Sequence, residues 1–262
     1  GQLGNGVDYE DATNLVNTHA EFAKGNAVQV RIPVNEVIVH VAAGGHHALA
    51  VTESGNVYAW GRNTNGQLGD GARNGGGYPL NQNSSTPALV TGLNRNSEKL
   101  VEIDQVMAGE EWSMALTRDG RVYAWGQNNE GQLGDNTGTM VNYPVRVRGY
   151  RGGGYMTNVI SIAAGDHHGL VARSDGSVYS WGQNTSKQLG MGDNTTRRLA
   201  PYRVFNEVDS TETFLKEIIA VAGGGAHSLA LTRAGGVYAW GSNDMGQLGQ
   251  GAQQRPSVGM AG

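Results

Sequence analysis

The chain says one thing four times. VYAWG stands at 57–61, 122–126 and 237–241 and VYSWG at 178–182, so Trp60, Trp125, Trp181 and Trp240 recur at one phase of a long period. At a constant offset before each tryptophan comes a glycine after small residues: Gly44, Gly109, Gly165 and Gly224. After each comes a second tag, GQLG at 66–69, 131–134 and 246–249 and KQLG at 187–190, and a further GQLG opens the chain at 1–4. A period of roughly sixty residues leaves few architectures: one supersecondary unit must stack on copies of itself to bury its apolar surface. The units are read as approximately 1–65, 66–130, 131–186 and 187–245, with 246–262 opening a further unit, and 1–262 as a single domain.

Each unit spells a hairpin. In the second, Trp112, Met114 and Leu116 alternate with Ser113, Ala115 and Thr117, the period of a strand. Arg118-Asp119-Gly120 supplies a turn, and Val122-Tyr123-Ala124-Trp125 resumes the strand pattern. A small-residue strand precedes each landmark glycine (41–43, 106–108, 162–164, 221–223), and a more variable stretch with proline and β-branched residues, such as Pro144-Val145-Arg146-Val147, precedes that. This makes about four short strands per unit, in keeping with the turn chemistry. The first hairpin strand carries large residues on one face (His47, Leu49, Val51) and small ones on the other (Ala48, Ala50), so both faces suit burial. Sheets packed on both faces and tapering to small residues at one edge are arranged radially. The fold class is all-β: a β-propeller of four-stranded blades, with four repeat units present. The small-residue strands should be innermost and over half buried.

The wording of the repeats, IAAGDHHGL with SDGSVYSWGQN and MAGEEWSMALTRDGRVYAWGQNNEGQLGDN, resembles the regulator-of-chromosome-condensation (RCC1-like) repeat family. The resemblance covers essentially the whole chain and implies a β-propeller, seven-bladed in typical members. Four units are therefore expected to form part of a seven-bladed ring or of a multi-chain assembly. The near-identical motifs and short Asn/Gly-rich turns resemble bacterial or phage-type members more than the nuclear exchange factor. The function the resemblance implies is a non-enzymatic binding or structural propeller, presenting variable loops to a protein or glycan partner or to further copies of itself. A bacterial surface or extracellular setting goes with that reading. The alternative it implies is guanine-nucleotide exchange on a small GTPase; an enzyme with a site at the axis is the remaining one. Bare faces on the first and fourth units, with rows such as Leu229 and Leu231, should pair head to tail between copies, 1–65 against 187–262.

Composition narrows the chemistry. The net charge of −4 gives no global basic field for nucleic acid, and Arg146, Arg148 and Arg151 read as solvated loop arginines. There are no cysteines, which removes disulfides, thiolate metal sites and cysteine nucleophiles. No apolar run approaches a membrane helix, and GxSxG, P-loop, HExxH and Rossmann motifs are missing, so no enzyme, cofactor or membrane insertion is expected.

The remaining candidates recur with the period. His47, His168 and His227 share one position, with Trp112 in their place in the second unit, and His46 and His167 stand beside two of them. They are the candidate binding residues of an axial face; the competing reading gives each a structural role at the start of a strand. Indole is no ligand, so Trp112 argues against a shared metal site. The tryptophans and landmark glycines read as structural repeat positions. Asp70, Asp135, Asn136, Asp193 and Asn194 after the tag lack the ligand alternation of a calcium loop and suit turns. Asn83, Asn184 and Asn194 head glycosylation sequons.

Overall fold

In the computed structural model, residues 2–3, 26–32, 35–71, 82–91, 100–206 and 213–250 are described. They form strands throughout, with one short 3-10 turn at Tyr150–Gly152 and no α-helix among the described residues. Blade one consists of β1 (Ile38–Ala43), β2 (His47–Thr52), β3 (Val57–Gly61) and β4 (Ser84–Leu89), antiparallel and in chain order. Blade two repeats this with β5 (Ile103–Ala108), β6 (Trp112–Thr117), β7 (Val122–Gly126) and β8 (Val141–Arg146), and blade three with β9 (Val159–Ala164), β10 (His168–Arg173), β11 (Val178–Gln183) and β12 (Arg197–Arg203). A small ribbon, β13 (Phe205–Asn206) with β14 (Thr213–Phe214), leads into blade four, of which β15 (Ile218–Gly223), β16 (His227–Thr232) and β17 (Val237–Gly241) are described. The variable proline-bearing stretch is the last strand of its sheet. Residues 141–146 pair back onto the VYAWG strand upstream and not with the small-residue strand that follows.

Cross-strand register explains the alternation of sizes. Trp60, Trp125, Trp181 and Trp240 face Ala48, Ser113, Gly169 and Ser228 on the neighbouring strand. A bulky indole on one strand needs a small residue opposite, because both project from the same face of the sheet. Gly169 is the extreme case: a Cβ there would stand 2.6 Å from the Trp181 ring.

The core is divided among the seams between blades. Leu49, Val51 and Val57 of blade one pack with Ile103, Val106, Tyr123 and Trp125 of blade two. Met114, Leu116 and Val122 of blade two pack with Ile162, Val171, Tyr179 and Trp181 of blade three, and Ala172 and Val178 of blade three with Ile218 and Ala230 of blade four. Burying both faces of every sheet is what the two-sided strand pattern requires. First strands meet first strands across each seam (β1 with β5, β5 with β9, β9 with β15), so the small-residue strands are innermost. They are not uniformly buried: Val106 and Ile162 are inaccessible, whereas Val41 is 66% exposed and Ala43 and Ala222 are also open. The expectation of burial fails in blade one because β1 has no blade against its outward face among the described residues. Blade four shows the same effect on its far side, where Leu231 and Val237 are exposed.

Candidate interaction site: the seams and the segments they hold

The tag is a self-bonded turn. In the four tags that follow a tryptophan, an asparagine Oδ1 (Asn63, Asn128, Asn184, Asn243) accepts from the N–H of the tag leucine at 3.0–3.1 Å. The glutamine Oε1 accepts the N–H two residues earlier at 2.8–2.9 Å. With the asparagine and glutamine side-chain oxygens engaged inside the turn, the tag turns the glutamine carbonyl outward. That carbonyl takes the indole N–H of the next unit: Trp60 donates to Gln2 O at 2.7 Å, Trp125 to Gln67 O at 2.9 Å, Trp181 to Gln132 O at 2.7 Å and Trp240 to Gln188 O at 2.8 Å. Burying an indole without an acceptor would leave its N–H unpaired, so tag and tryptophan are the two halves of one joint. The last tag glycine lies against the indole. At Gly134, with φ +63°, a Cβ would stand 2.7 Å from Trp181 Nε1.

The recurrent histidines belong to the same joints. Ser113 Oγ donates its one proton to Gln67 O at 2.8 Å, so His47 Nε2, 2.8 Å from that oxygen, must carry the proton of their bond. His168 Nε2 relates in the same way to Ser228 Oγ at 2.9 Å, which donates to Gln188 O at 2.8 Å. Each ring therefore donates across the seam through a serine to the carbonyl that also holds the tryptophan. Burial drives the His47 imidazole down to about 4, with His46 adding to the effect, and His168 down to about 3, with His227 and His167 adding to it. Both are neutral in the folded protein. In the second unit Trp112 crosses the seam by itself, its indole donating to Asp166 O at 2.9 Å, and the next blade has Gly169 where a serine would otherwise receive a histidine. The exchange is coordinated over two blades.

His47, Trp112 and His168 thus lie buried inside separate seams, with His227 half-buried at the start of β16. His167 Nε2 reaches back to Glu110 Oε2 of the preceding blade at 3.0 Å. Gly44, Gly109, Gly165 and Gly224 are crowded by the ring of the same unit's His47, Trp112, His168 or His227, and backbone bonds such as Gly45 N–H to Gly109 O (3.2 Å) and Asp166 N–H to Gly225 O (3.1 Å) link successive blades beside them. Among the described residues no three His, Asp or Glu side chains converge as a metal ion requires. Asp70 and Asp135 accept from Asn63 and Asn128 Nδ2, and Asp193 pairs with Arg198, so the polar residues after the tag brace its turn. Asn184 is buried, donating to Thr195 O, and is closed to glycosylation in the folded chain. An open groove of about 390 Å³ runs beside Trp60, Gln2, Leu3 and Val28. Sequence reasoning missed the serines and the tag carbonyl; the one available signal was that serine appears opposite tryptophan only after a unit with histidine.

Four-stranded sheets joined through buried seams of this kind define a β-propeller. The family model described as the RCC1-like domain matches residues 1–259, and the chain belongs to that family. It is 32% identical over 254 residues to the ultraviolet-B receptor UVR8 of Arabidopsis thaliana, covering 96% of this chain and 49% of that protein. It is 35% identical over 210 residues to the E3 ubiquitin-protein ligase HERC2 of Homo sapiens, covering 80% of this chain and 4% of that one. Among solved structures it superimposes on Prp20p from Saccharomyces cerevisiae with a TM-score of 0.64 and 28% identity, covering 84% of this chain and 49% of that one. The chain spans about half or less of these relatives. All three come from eukaryotes, so the likeness to bacterial or phage-type members draws no support. The ligase name belongs to a protein of which this chain matches 4%, and is not carried over.

Proposed function

We propose that the chain is part of a single propeller domain that binds a protein partner without catalysing a reaction, using the variable segments that its seams hold in place. The observation that carries this reading is the division of labour along the sequence. Tag, tryptophan, histidine and serine are consumed in joining blades, whereas segments after the tags (70–83, 135–140, 191–196) and between blades (90–102, 147–158, 204–217) differ in length and chemistry. Variable segments on a rigid frame are the usual place for recognition. The recurrent histidines and tryptophans are assigned to the frame. A protein is preferred to a glycan or to further copies because similar solved structures have protein partners: yeast RCC1 (Prp20) is bound to Kap60, and Prp20p binds Gsp1p and histones. Cross-linking of the purified chain to a captured partner tests this. Cross-links should fall on the variable segments, and shortening 149–154 or 72–81 should release the partner at unchanged melting temperature. Cross-links confined to the seams, or no captured protein, would overturn it.

A second reading, nucleotide exchange on a small GTPase, rests on the likeness to Prp20p, which binds Gsp1p. Acceleration of labelled-GDP release from Gsp1p would establish it, and an unchanged release rate would remove it.

A further inference from the structure

The rim of the seam between blades two and three gathers arginines that the fold does not use up. After β8 the chain doubles back as a narrow ribbon, with Arg148 paired to Tyr155 and Met156 N–H donating to Val147 O at 3.0 Å. At its tip Tyr150 crosses the seam and stands edge-on to Tyr179 and Tyr202 of blade three, with centroids 6.2 and 5.7 Å away. Guanidinium groups lie over these rings: Arg146 and Arg148 over Tyr155 at 4.5 and 4.9 Å, Arg151 over Tyr150 at 5.0 Å, Arg198 over Tyr202 at 4.4 Å. Arg203 covers Phe214 nearby at 4.2 Å.

A guanidinium stacked on a ring is held in place through its face, while its N–H groups, which lie in the plane, remain free to grip a carboxylate two-pronged. Elsewhere Arg62 pairs with Glu111, Arg121 with Asp119 and Glu102, and Arg173 with Asp175, while Arg118 and Arg197 reach the backbone carbonyls of Glu53 and Asn129. On the rim Arg198 has Asp193, but among the described residues no carboxylate stands within ion-pair distance of Arg146, Arg148, Arg151 or Arg203. The Nε atoms of Arg146, Arg198 and Arg203 are buried without an acceptor, and Arg146 reaches only the Met156 carbonyl, at 3.5 Å. Arg151 is held in the left-handed region at φ 55°, which side chains rarely adopt. Tyr150 and Tyr155 are 39% and 48% exposed beside these charges. In a chain of net charge −4, this much unpaired positive charge runs against composition.

We propose that this rim is the docking surface for an acidic, Asp- and Glu-rich segment of a partner protein; the inference rests on the protein-binding reading above and gives it a location. Carboxylates supply the acceptors that the pre-oriented guanidinium groups lack. Exposed tyrosine edges add apolar contact, and arginine with tyrosine is the pairing that concentrates binding energy at protein interfaces. Single-stranded nucleic acid fits less well. It needs open ring faces on which bases stack, and these rings already carry guanidinium groups. The net negative charge also repels a long polyanion.

Fluorescence anisotropy with a labelled peptide of alternating Glu and Asp, its Gln/Asn counterpart and an oligothymidylate of equal charge tests the proposal. The acidic peptide should bind and its neutral counterpart should not. Arg148→Glu with Arg151→Glu should weaken binding about tenfold or more at an unchanged melting temperature, as expected for losing charge-assisted pairs. Arg151→Lys, which keeps the charge and loses the fork, should fall between. Arg233→Glu, the same charge change on blade four, should alter binding less than about twofold, since screening confines the effect to near charges. No binding of the acidic peptide, or equal weakening by Arg233→Glu, would overturn the assignment. So would tighter oligothymidylate binding that the double variant abolishes, which would give the rim to nucleic acid. A partner protein that stays on the double variant but leaves when 72–81 is shortened would refute the rim alone and leave the protein-binding reading standing.

Discussion

At the residue scale the buried histidines make the protein pH-sensitive, with a definite sign. His47 and His168 titrate near 4 and 3 when folded, because burial in the seams disfavours the charged ring, against 6.5 for the free side chain. In that interval the unfolded chain binds more protons than the folded one. Their contribution is therefore whole above about pH 6.5 and is lost as pH falls toward the folded values, by up to about 1.4 kcal/mol per pH unit for each ring. Denaturant titration at pH 7.5 and pH 5.0 should show His168→Asn losing about 2 kcal/mol less than the wild type between the two conditions. Equal losses would mean that the His168 ring is not held neutral in the seam. The periodic position of these residues was plain in the sequence, but their partners were not. His168 bonds to Ser228 sixty residues away, and Ser228 in turn to the carbonyl of Gln188, an acceptor every residue has and no letter marks.

At the element scale each hairpin has the same hydrogen-bonded register, yet the environments differ. β6 and β10 are flanked by strands on both edges and by blades on both faces, and nearly every residue in them is buried. β17 has the same VYAWG sequence as β7, but Val237 is 65% exposed where Val122 is inaccessible. Amide exchange should follow environment and not sequence: β6 and β10 slowest, β16 and β17 fastest by local opening, as in other stacked repeats. Uniform protection across all four hairpins would mean that blade four is covered in solution. The hairpins, their turns and the innermost strands were legible because the period-2 pattern and turn glycines are local signals. The allegiance of the last strand was not, since Pro144-Val145-Arg146 carries an equally good strand pattern toward either neighbour; the pairing of Tyr123, Ala124 and Gly126 with Arg146, Val145 and Val141 decides it. The Arg–Tyr rim was invisible for a similar reason: Tyr150 and Arg151 meet Tyr202, which also carries Arg198, from a different blade.

At the scale of the whole molecule, one residue type samples four equivalent places. Val57, Val122 and Val178 are 0%, 0% and 1% exposed because the following blade lies on them, and Val237 stands open. The head-to-tail pairing of copies expected from the unlike ends would set blade four of one molecule on blade one of another, and the seam chemistry does not match. His227 would meet Ala48 in place of the serine that receives His47 and His168, and Trp60 already donates to Gln2 O. A blade suited to this face carries serine opposite its tryptophan, as blades two and four do. Charge placed on each valine measures what covers it. Val178→Asp should cost more than about 4 kcal/mol, the penalty for an unpaired charge in a packed core, and Val237→Asp should stay within about 0.5 kcal/mol, the range for exposed positions. If Val237→Asp instead costs several kcal/mol and sedimentation shows it splitting a larger species, the open face of blade four is occupied by a second copy, and the mismatch of His227 with Ala48 does not prevent docking.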